Sequence, residues 1–289
     1  MKAIYILNDT SLYHGGSEAV MGYLFSLLDS KKFNIFIENK KNIIEKEIID
    51  QSDIVICNGE GTIHNSKPRA IHLMKVLEYA QKQNKSTILC NTSWFNMTNE
   101  FDHVLKRLNQ FSVREKLSAE ILETKHNIKP EVFLDISYHY KCEYQVKEDR
   151  KIRFLKTDFY SKEFNCFVIP NGGSLEDIDF FNMKQHSWID TLNKFSDVKV
   201  VLTGRYHGLI ACLKTKTRFI VYPGNTDKIN GLLYWFGNDT ALIKNYKLLL
   251  SSAKTSHRNL NYYKELFYWV EEQKPWLPYF LKRINSFGK

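Results

Sequence analysis

The amino-acid sequence predicts an α/β protein built from two doubly wound parallel-sheet domains that face a cleft. Three observations support this prediction: short apolar runs alternate with amphipathic helical stretches, the alternation breaks around residues 136–164, and it then resumes. Strands separated by helices of this length form parallel sheets with helices on both faces. The chain has 289 residues, 43% of them hydrophobic, and is long enough to fill two such cores.

The first domain is predicted to span residues 1–140. Its strands are short apolar runs, and in its helices the apolar residues recur every three or four positions. The predicted strands are Ala3–Leu7, Phe33–Ile37, Asp53–Cys57, Thr87–Cys90, Phe111–Val113 and Val132–Leu134, and the predicted helices are Ser17–Leu28, Asn42–Asp50, Ile71–Gln83 and Lys116–Thr124.

The second domain is predicted to span residues 165–255. The segment 136–164 before it is charged and rich in tyrosine, which indicates a linker. The predicted strands of this domain are Cys166–Ile169, Val198–Leu202 and Phe219–Val221, and the predicted helices are Ser187–Phe195, Gly208–Leu213 and Thr226–Phe236.

Residues 256–289 form a C-terminal segment that is rich in aromatic and basic side chains. Aromatic residues at helical spacing are more often part of a core, so the segment is predicted to be helical and to pack back on the first domain. Aromatic residues beside lysine and arginine also suit a membrane interface. Peripheral membrane contact is therefore the alternative interpretation.

Charge and cysteine content narrow the classes of partner. The net charge of +9 favours an acidic partner, but lysine and arginine form no basic block or RNA-binding motif, so no nucleic-acid partner is expected. The five cysteines lack CxxC spacing, which predicts neither disulfides nor a zinc site. The sequence contains no long uncharged apolar run and begins at once with a predicted strand, so a cytoplasmic location is expected.

The stretch Thr203–Leu213, TGRYHGLIACL, is the strongest candidate for a functional site. Arg205 and His207 follow a predicted strand and precede a small-residue helix. A guanidinium, a titratable imidazole and helix N–H groups at one place would bind an anion, and His207 could transfer a proton there. Further glycine and polar residues follow the other predicted strands, at the edge where parallel sheets bind ligands: His14–Glu18, Gly59–His64, Thr92–Trp94, Arg114, Asn171–Gly173 and Gly224–Lys228.

Several segments together resemble the polysaccharide pyruvyl transferase family. They are the GGSEAVM helix, DIVICNGEGTIH, FSVREKLSAEIL, VFLDIS and VVLTGRYHGLIACLKTKTRFIVYPGNTDKINGLL. The resemblance extends from about Asn8 to Phe236, and its most specific parts are SVRE and R-x-H with the helices that follow them. It implies two Rossmann-like domains of the GT-B type. The implied reaction transfers the enolpyruvyl carbons of phosphoenolpyruvate to a sugar diol as a cyclic ketal.

The resemblance also implies roles for individual residues. Phosphoenolpyruvate carries a phosphate and a carboxylate, so cations and N–H donors are expected to bind it: Arg205, Arg114, Lys228, Asn225, Gly172 and Gly173. General acid/base catalysis is assigned to His207, and deprotonation of the sugar hydroxyl to Glu60 or Asp135. The acceptor is expected to contact His14, Gly15, Gly16, Ser17, His64 and Trp94. No metal or cofactor is expected, because no residues have metal-ligand spacing.

Two other functions stay open. Glu60 stands in NGEGT where many family members have a run of glycines, which would fit a different donor, such as the nucleotide sugar of a GT-B glycosyltransferase in surface glycan synthesis. The chain could also bind a sugar or phosphate without catalysis. For the pyruvyl transferase, the expected acceptor is a sugar of a capsular, lipo- or exopolysaccharide, or its lipid-linked precursor at the inner face of the cell membrane.

Overall fold

The chain folds into two compact units, each built on a parallel sheet. The first unit contains Met1–Asp9 and Tyr23–Ile136, and the second contains Thr10–Gly22 and Ser137–Gln273. The computed structural model describes residues 1–28, 31–39, 42–161, 164, 166–170, 175–243, 248–255 and 259–274.

The first unit contains a six-stranded parallel sheet in the order β2-β1-β3-β4-β5-β6. The strands are β1 (Lys2–Leu7), β2 (Phe33–Ile37), β3 (Ile54–Asn58), β4 (Ser86–Thr92), β5 (Gln110–Val113) and β6 (Glu131–Val132). The helices are α1 (Gly15–Ser26), which begins in the second unit and ends in the first, and α2 (Lys46–Gln51), α3 (Pro68–Lys82), α4 (Asp102–Leu105) and α5 (Lys116–His126).

The central strands of this sheet are apolar because they are buried on both faces. All five residues of β3 are buried, as are the last four of β1. Tyr5 and Leu7 share one face of β1 and join a core with Leu73 and Met74 of α3. Full burial of a side chain such as leucine contributes roughly 1.5–3 kcal/mol, so this packing fixes the strands and the loops at their carboxyl ends.

The second unit contains a three-stranded parallel sheet in the order β11-β10-β7, and a separate antiparallel hairpin of β8 and β9. The strands are β7 (Ile152–Lys156), β8 (Phe159–Ser161), β9 (Cys166–Val168), β10 (Val198–Thr203) and β11 (Arg218–Val221). The helices are α6 (Trp188–Ser196), α7 (Tyr206–Lys214), α8 (Lys228–Phe236), α9 (Leu249–Thr255) and α10 (Leu260–Glu271). Throughout the described ranges, no helix has the length and hydropathy that a bilayer span requires.

The predicted linker is wrong, because β7 lies inside it and pairs with β10. The predicted strand after the linker is also misassigned, since β9 pairs with β8 in the antiparallel hairpin and not with the parallel sheet. Hydrogen bonds from Arg150 attach this charged segment to the rest of the second unit. Its guanidinium donates five hydrogen bonds, to the carbonyl oxygens of Phe195, Val198, Thr215 and Lys216 and to the Thr217 hydroxyl.

The predicted first domain, 1–140, includes a segment that belongs to the second unit, Thr10–Gly22. Gly15 lies against the backbone of residues 186–188, where a Cβ atom would overlap backbone atoms. Glu18 accepts the N–H of Trp188 at 3.0 Å. The start of α1 is therefore attached to the start of α6, by contacts that a local sequence pattern does not reveal.

The C-terminal helix α10 packs on the second sheet. The Tyr263 hydroxyl donates to the carbonyl oxygen of Phe219 in β11, and the two rings make an edge contact at 5.5 Å. Leu266 and Val270 of the same helix are fully buried. The prediction that residues 256–289 pack on the first domain is therefore wrong for α10. The remaining part of that segment, 275–289, lies outside the described residues.

The five cysteines are free thiols, as the sequence predicts. Cys57, Cys90 and Cys212 are buried in the strands and helix of the two cores. Burial raises the pKa of all three thiols, to about 12 for Cys90. These cysteines therefore behave as small core residues.

Candidate functional site

The loop between β10 and α7 holds Arg205 and His207. β10 ends at Thr203, and α7 begins at Tyr206 with Arg205 as its N-cap in an extended conformation. His207 is the second residue of the helix. The first N–H groups of α7, which carry the positive end of the helix dipole, therefore belong to the same loop as the guanidinium and the imidazole.

Two glycines allow this turn. A Cβ atom on Gly204 would overlap the Cβ atom of Phe159, and a Cβ atom on Gly208 would collide with Oγ1 of Thr203. Gly204 therefore allows close approach to Phe159 of β8, and Gly208 allows the start of α7 to lie directly against the end of β10.

His207 lies against the glycine turn at the start of α1. Its ring centroid is 5.0 Å from that of His14, at an angle of 58°. A Cβ atom on Gly16 would overlap the His207 side chain, so only glycine lets α1 start this close. Nδ1 of His14 accepts the Ser17 N–H at 3.2 Å, which assigns the proton of the neutral ring to Nε2. The structure thus brings His207 together with two residues predicted to bind the acceptor, His14 and Gly16.

Arg205 is held from two sides. Its Nε donates to Oδ1 of Asp158 at 2.9 Å, and its Nη2 donates to Oδ2 of the same carboxylate. The ring of Phe167 covers the guanidinium, with its centroid 3.6 Å from Cζ. The side chains of Arg205 and Asp158 are 10% and 9% exposed. The arginine is therefore fixed in one orientation before any ligand binds.

Two other predicted donor-binding residues of this unit are hydrogen-bonded to each other. Nζ of Lys228 donates to Oδ1 of Asn225 at 3.2 Å, in the loop after β11. Gly172 and Gly173 lie outside the described residues.

In the first unit, Glu60 and His64 occupy the loop after β3. Glu60 adopts a left-handed φ of 41°, and its carbonyl oxygen accepts the Ser93 N–H at 2.8 Å. Both side chains are largely buried, with exposed fractions of 6% and 7%. The loop after β3 is thus tied to the loop after β4 through main-chain hydrogen bonds.

Arg114 and Asp135 form an ion pair inside the first unit. Nη1 of Arg114 donates to Oδ2 of Asp135 at 2.7 Å, and its Nε donates to the Ser93 hydroxyl at 2.9 Å. The side chains are 1% and 0% exposed. Two residues with separate predicted roles, donor binding and deprotonation of the sugar, are thus each other's partners.

Trp94, which is predicted to contact the acceptor, is a core residue in the structure. Its side chain is fully buried, and its indole N–H donates to Nε2 of His126 at 3.2 Å. Nδ1 of His126 contacts Asp102 at 2.6 Å. A buried tryptophan requires such a partner for its N–H, and the histidine supplies it.

Sequence reasoning missed Asp158, Phe167 and Glu115. Asp158 and Phe167 fall on segments next to or inside the predicted linker, and their contacts with Arg205 depend on β7 being a strand. Glu115 is the last residue of the SVRE motif, so the sequence did contain a signal for it. Its carboxylate caps α5 by accepting the Ser118 N–H at 2.9 Å. Burial raises the pKa of Glu115 to about 7.

A second cluster that the sequence did not indicate joins the ends of β1, β2 and β3. Glu38 accepts the Asn8 N–H at 2.9 Å and a hydrogen bond from Nη1 of Arg69 at 2.8 Å. Nδ2 of Asn8 donates to the carbonyl oxygen of Asn58 at 2.7 Å. The cluster fixes the carboxyl edge of the first sheet.

Comparison with known families identifies the chain. The family model described as polysaccharide pyruvyl transferase matches residues 17–225, well over half of the sequence. The chain belongs to the polysaccharide pyruvyl transferase family. The matched range contains the SVRE motif and the whole R-x-H loop with His207, and it begins three residues after His14. A comparison with curated protein sequences finds no match.

Solved structures share the fold of this pyruvyl transferase family member at low sequence identity. The UDP-GlcNAc 2-epimerase of Neisseria meningitidis is 9% identical with a TM-score of 0.58, covering 99% of this chain and 100% of the epimerase. An uncharacterised protein of Klebsiella pneumoniae is 11% identical with a TM-score of 0.54, covering 84% of this chain and 93% of its own. These likenesses confirm the predicted α/β, GT-B-like fold. The roles assigned to individual site residues stay predictions.

Proposed function

We propose that this member of the polysaccharide pyruvyl transferase family transfers a pyruvyl group from phosphoenolpyruvate to a sugar of a surface polysaccharide, forming a ketal. The observation that carries the proposal is the R-x-H loop, where Arg205, His207 and the N-terminus of α7 occur together. A doubly anionic donor requires such a combination of cation and N–H groups.

The reaction needs two kinds of proton movement. The methylene carbon of phosphoenolpyruvate gains a proton, one sugar hydroxyl adds to the neighbouring carbon and loses its proton, and the C–O bond to phosphate breaks. A second hydroxyl then adds to the same carbon, loses its proton and closes the ketal, with inorganic phosphate as the other product. His207 is the proposed acid and base, since an imidazole can give and accept protons near neutral pH.

Glu60 is the proposed carboxylate base. Asp135 is engaged by Arg114 and has no exposed surface, so its proposed part is to hold that arginine. Arg205 is the proposed donor-binding cation, with Lys228 and Asn225 as further contacts. His14, Gly15, Gly16 and Ser17 are the proposed acceptor contacts, together with His64. No metal or cofactor enters this proposal, and activity in the presence of a chelator tests that part.

Release of phosphate from phosphoenolpyruvate in the presence of candidate sugar acceptors tests the function. The wild-type protein should release phosphate only with an acceptor, and the acceptor should gain the mass of a pyruvyl ketal. His207→Ala should lower kcat by about 10²–10⁴-fold, the usual contribution of a general acid/base. His103→Ala is the matched control, because His103 is half exposed and lies in α4 of the first unit.

Three outcomes are distinguishable. Turnover of a nucleotide sugar without turnover of phosphoenolpyruvate would favour the glycosyltransferase. Binding of phosphoenolpyruvate or sugar without any turnover would favour a non-catalytic relative. Wild-type activity in His207→Ala would remove this histidine from the mechanism.

We also propose that the acceptor is a capsular, lipo- or exopolysaccharide unit or its lipid-linked precursor, met at the cytoplasmic face of the cell membrane. The aromatic and basic composition of residues 256–289 supports this. Co-sedimentation of the full chain with phosphatidylglycerol vesicles at low salt tests it, with phosphatidylcholine vesicles as the neutral control. Failure to bind either would contradict a membrane location.

A further inference from the structure

Contacts with Asp158 and Phe167 restrict the orientation in which the Arg205 guanidinium can meet a ligand. Asp158 takes Nε and Nη2, which is one whole edge of the planar fork. Phe167 covers one face of the plane at 3.6 Å. Both N–H bonds of Nη1 and the second N–H of Nη2 lie outside this pairing, so the end of the guanidinium that carries Nη1 is the part that Arg205 can present to an anion.

The backbone places Asp158 beside Arg205. The pairing of β7 with β10 continues past the strand ends, because Thr157 N–H donates to the carbonyl oxygen of Leu202 at 2.9 Å. The Gly204 N–H donates to the carbonyl oxygen of Asp158 at 3.4 Å. The backbone that carries the Asp158 carboxylate is therefore held by the same ladder that positions the R-x-H loop.

The hairpin of β8 and β9 supplies the other contact. Phe167 lies in β9, and its opposite neighbours are Tyr160, with ring centroids 5.4 Å apart, and Lys184, whose Nζ is 5.4 Å from the ring. A ring over the guanidinium displaces water from one face and strengthens any charge interaction that the arginine makes.

We propose that Asp158 and Phe167 are positioning residues that set the direction in which Arg205 presents the Nη1 end of its guanidinium to the donor's anionic group. This inference rests on the proposed function. Asp158 also offsets the charge of Arg205, so the anion meets a nearly neutral pair plus the end of α7. Removing the carboxylate charge should therefore have two opposite effects: a stronger attraction for the anion and a poorer geometry for its reaction.

Steady-state kinetics with phosphoenolpyruvate separates these effects. Asp158→Asn keeps the shape of the side chain but loses one of the two accepting oxygens and the charge. We expect kcat to fall about ten- to a hundredfold, as a small displacement of a positioned group does. We expect KM for phosphoenolpyruvate to fall about two- to fivefold, because Asp158 no longer offsets the charge that attracts the anion. A purely structural role would lower kcat through loss of folded protein and leave KM unchanged.

A double-mutant cycle tests whether Asp158 acts through Arg205. Lysine cannot form the two-nitrogen pair, so in an Arg205→Lys background the further loss on Asp158→Asn should shrink to less than about twofold. Phe167→Leu should lower kcat by a smaller factor, and Phe167→Tyr should restore it. Phe154→Leu is the matched control, because Phe154 of β7 makes a similar contact with another arginine, Arg153, whose Cζ is 5.1 Å from the ring centroid.

The outcomes distinguish this inference from the proposed function. Absence of pyruvyl transfer in the wild-type protein would refute the proposed function. An active wild-type protein whose Asp158→Asn variant keeps its kcat, or loses kcat equally in both backgrounds, would overturn the positioning role.

Discussion

Arg114 of the first unit and Arg205 of the second unit follow parallel strands, and each forms an ion pair with an aspartate. Their surroundings differ. The pair of Arg114 with Asp135 has side chains 1% and 0% exposed, whereas the pair of Arg205 with Asp158 has side chains 10% and 9% exposed.

The remaining donors of the two arginines differ as well. Arg114 uses its Nε on the Ser93 hydroxyl and its Nη1 on Asp135, so both edges of the fork face the protein. Arg205 commits a single edge to Asp158 and shares a loop with a histidine and a helix N-terminus. An arginine at a strand end is therefore bound to neighbouring side chains in the first unit and is a candidate ligand contact in the second unit.

The largest expected effect that separates the two arginines is on stability. Arg114→Ala leaves the Asp135 carboxylate buried and unpaired, which should lower the free energy of unfolding by about 3–5 kcal/mol. Urea unfolding followed by fluorescence measures this. The fraction that stays folded should keep its kcat, in contrast to Arg205 variants. A stable Arg114→Ala protein without activity would instead return Arg114 to the donor site.

Glu115, the residue after Arg114, is expected to make the free energy of unfolding depend on pH. Burial raises the pKa of Glu115 from its usual 4.5 to about 7, against the hydrogen bonds from Ser118. The folded state therefore keeps the proton up to about pH 7, while the unfolded state releases it near pH 4.5. Stability from this group is present at low pH and is lost as the pH rises through that window, by at most about 3 kcal/mol.

Glu115→Gln removes this titration. The stability of the variant relative to wild type should rise between pH 4.5 and pH 7 and then level off, in chemical unfolding measured at several pH values. Glu123→Gln, at an exposed position of the same helix, should show no such trend. A difference that does not change with pH would mean that Glu115 titrates alike in the folded and unfolded states.

Trp94 tests whether the surroundings of Arg114 are a core or a binding surface. Trp94→Phe removes the indole N–H and leaves Nε2 of His126 without its donor, which should cost about 1–3 kcal/mol. Thermal and urea unfolding measure the loss, and KM for the sugar acceptor should not change. A raised KM at unchanged stability would support the acceptor contact that the sequence predicts.

These contrasts show what local patterns can predict. Phe33–Ile37 was predicted with its observed bounds, and the strand–helix alternation of the first unit follows from apolar spacing alone. β7 was missed because its sequence, IRFLK, places charged residues between the apolar ones, and because what anchors it is the set of bonds made by Arg150. A partly buried guanidinium bound by carbonyl oxygens has no signature in sequence.

The sequence likewise predicts only part of the candidate site. R-x-H was predictable because its residues are neighbours in the chain. Asp158 lies 47 residues away from Arg205, and Arg114 and Asp135 are 21 apart, so their pairing depends on which strands are adjacent. A strand-end arginine has the same sequence pattern whether its fork points into a core or toward a ligand, and only burial separates the two cases.

The smallest expected effect concerns a third ion pair, which shows that exposure and not distance decides what a pair contributes. Nζ of Lys216 lies 2.6 Å from Glu271, closer than the 2.7 Å of Arg114 and Asp135, but the two side chains are 49% and 47% exposed. Water and salt screen such a pair, so Glu271→Gln should change the free energy of unfolding by less than about 1 kcal/mol. Asp135→Asn, the matched change in the buried pair, should cost several times more in the same urea titration. Equal decreases in the free energy of unfolding for the two variants would mean that the interior around Arg114 is hydrated. Burial would then no longer distinguish Arg114 from Arg205, and only the geometry of their hydrogen bonds would.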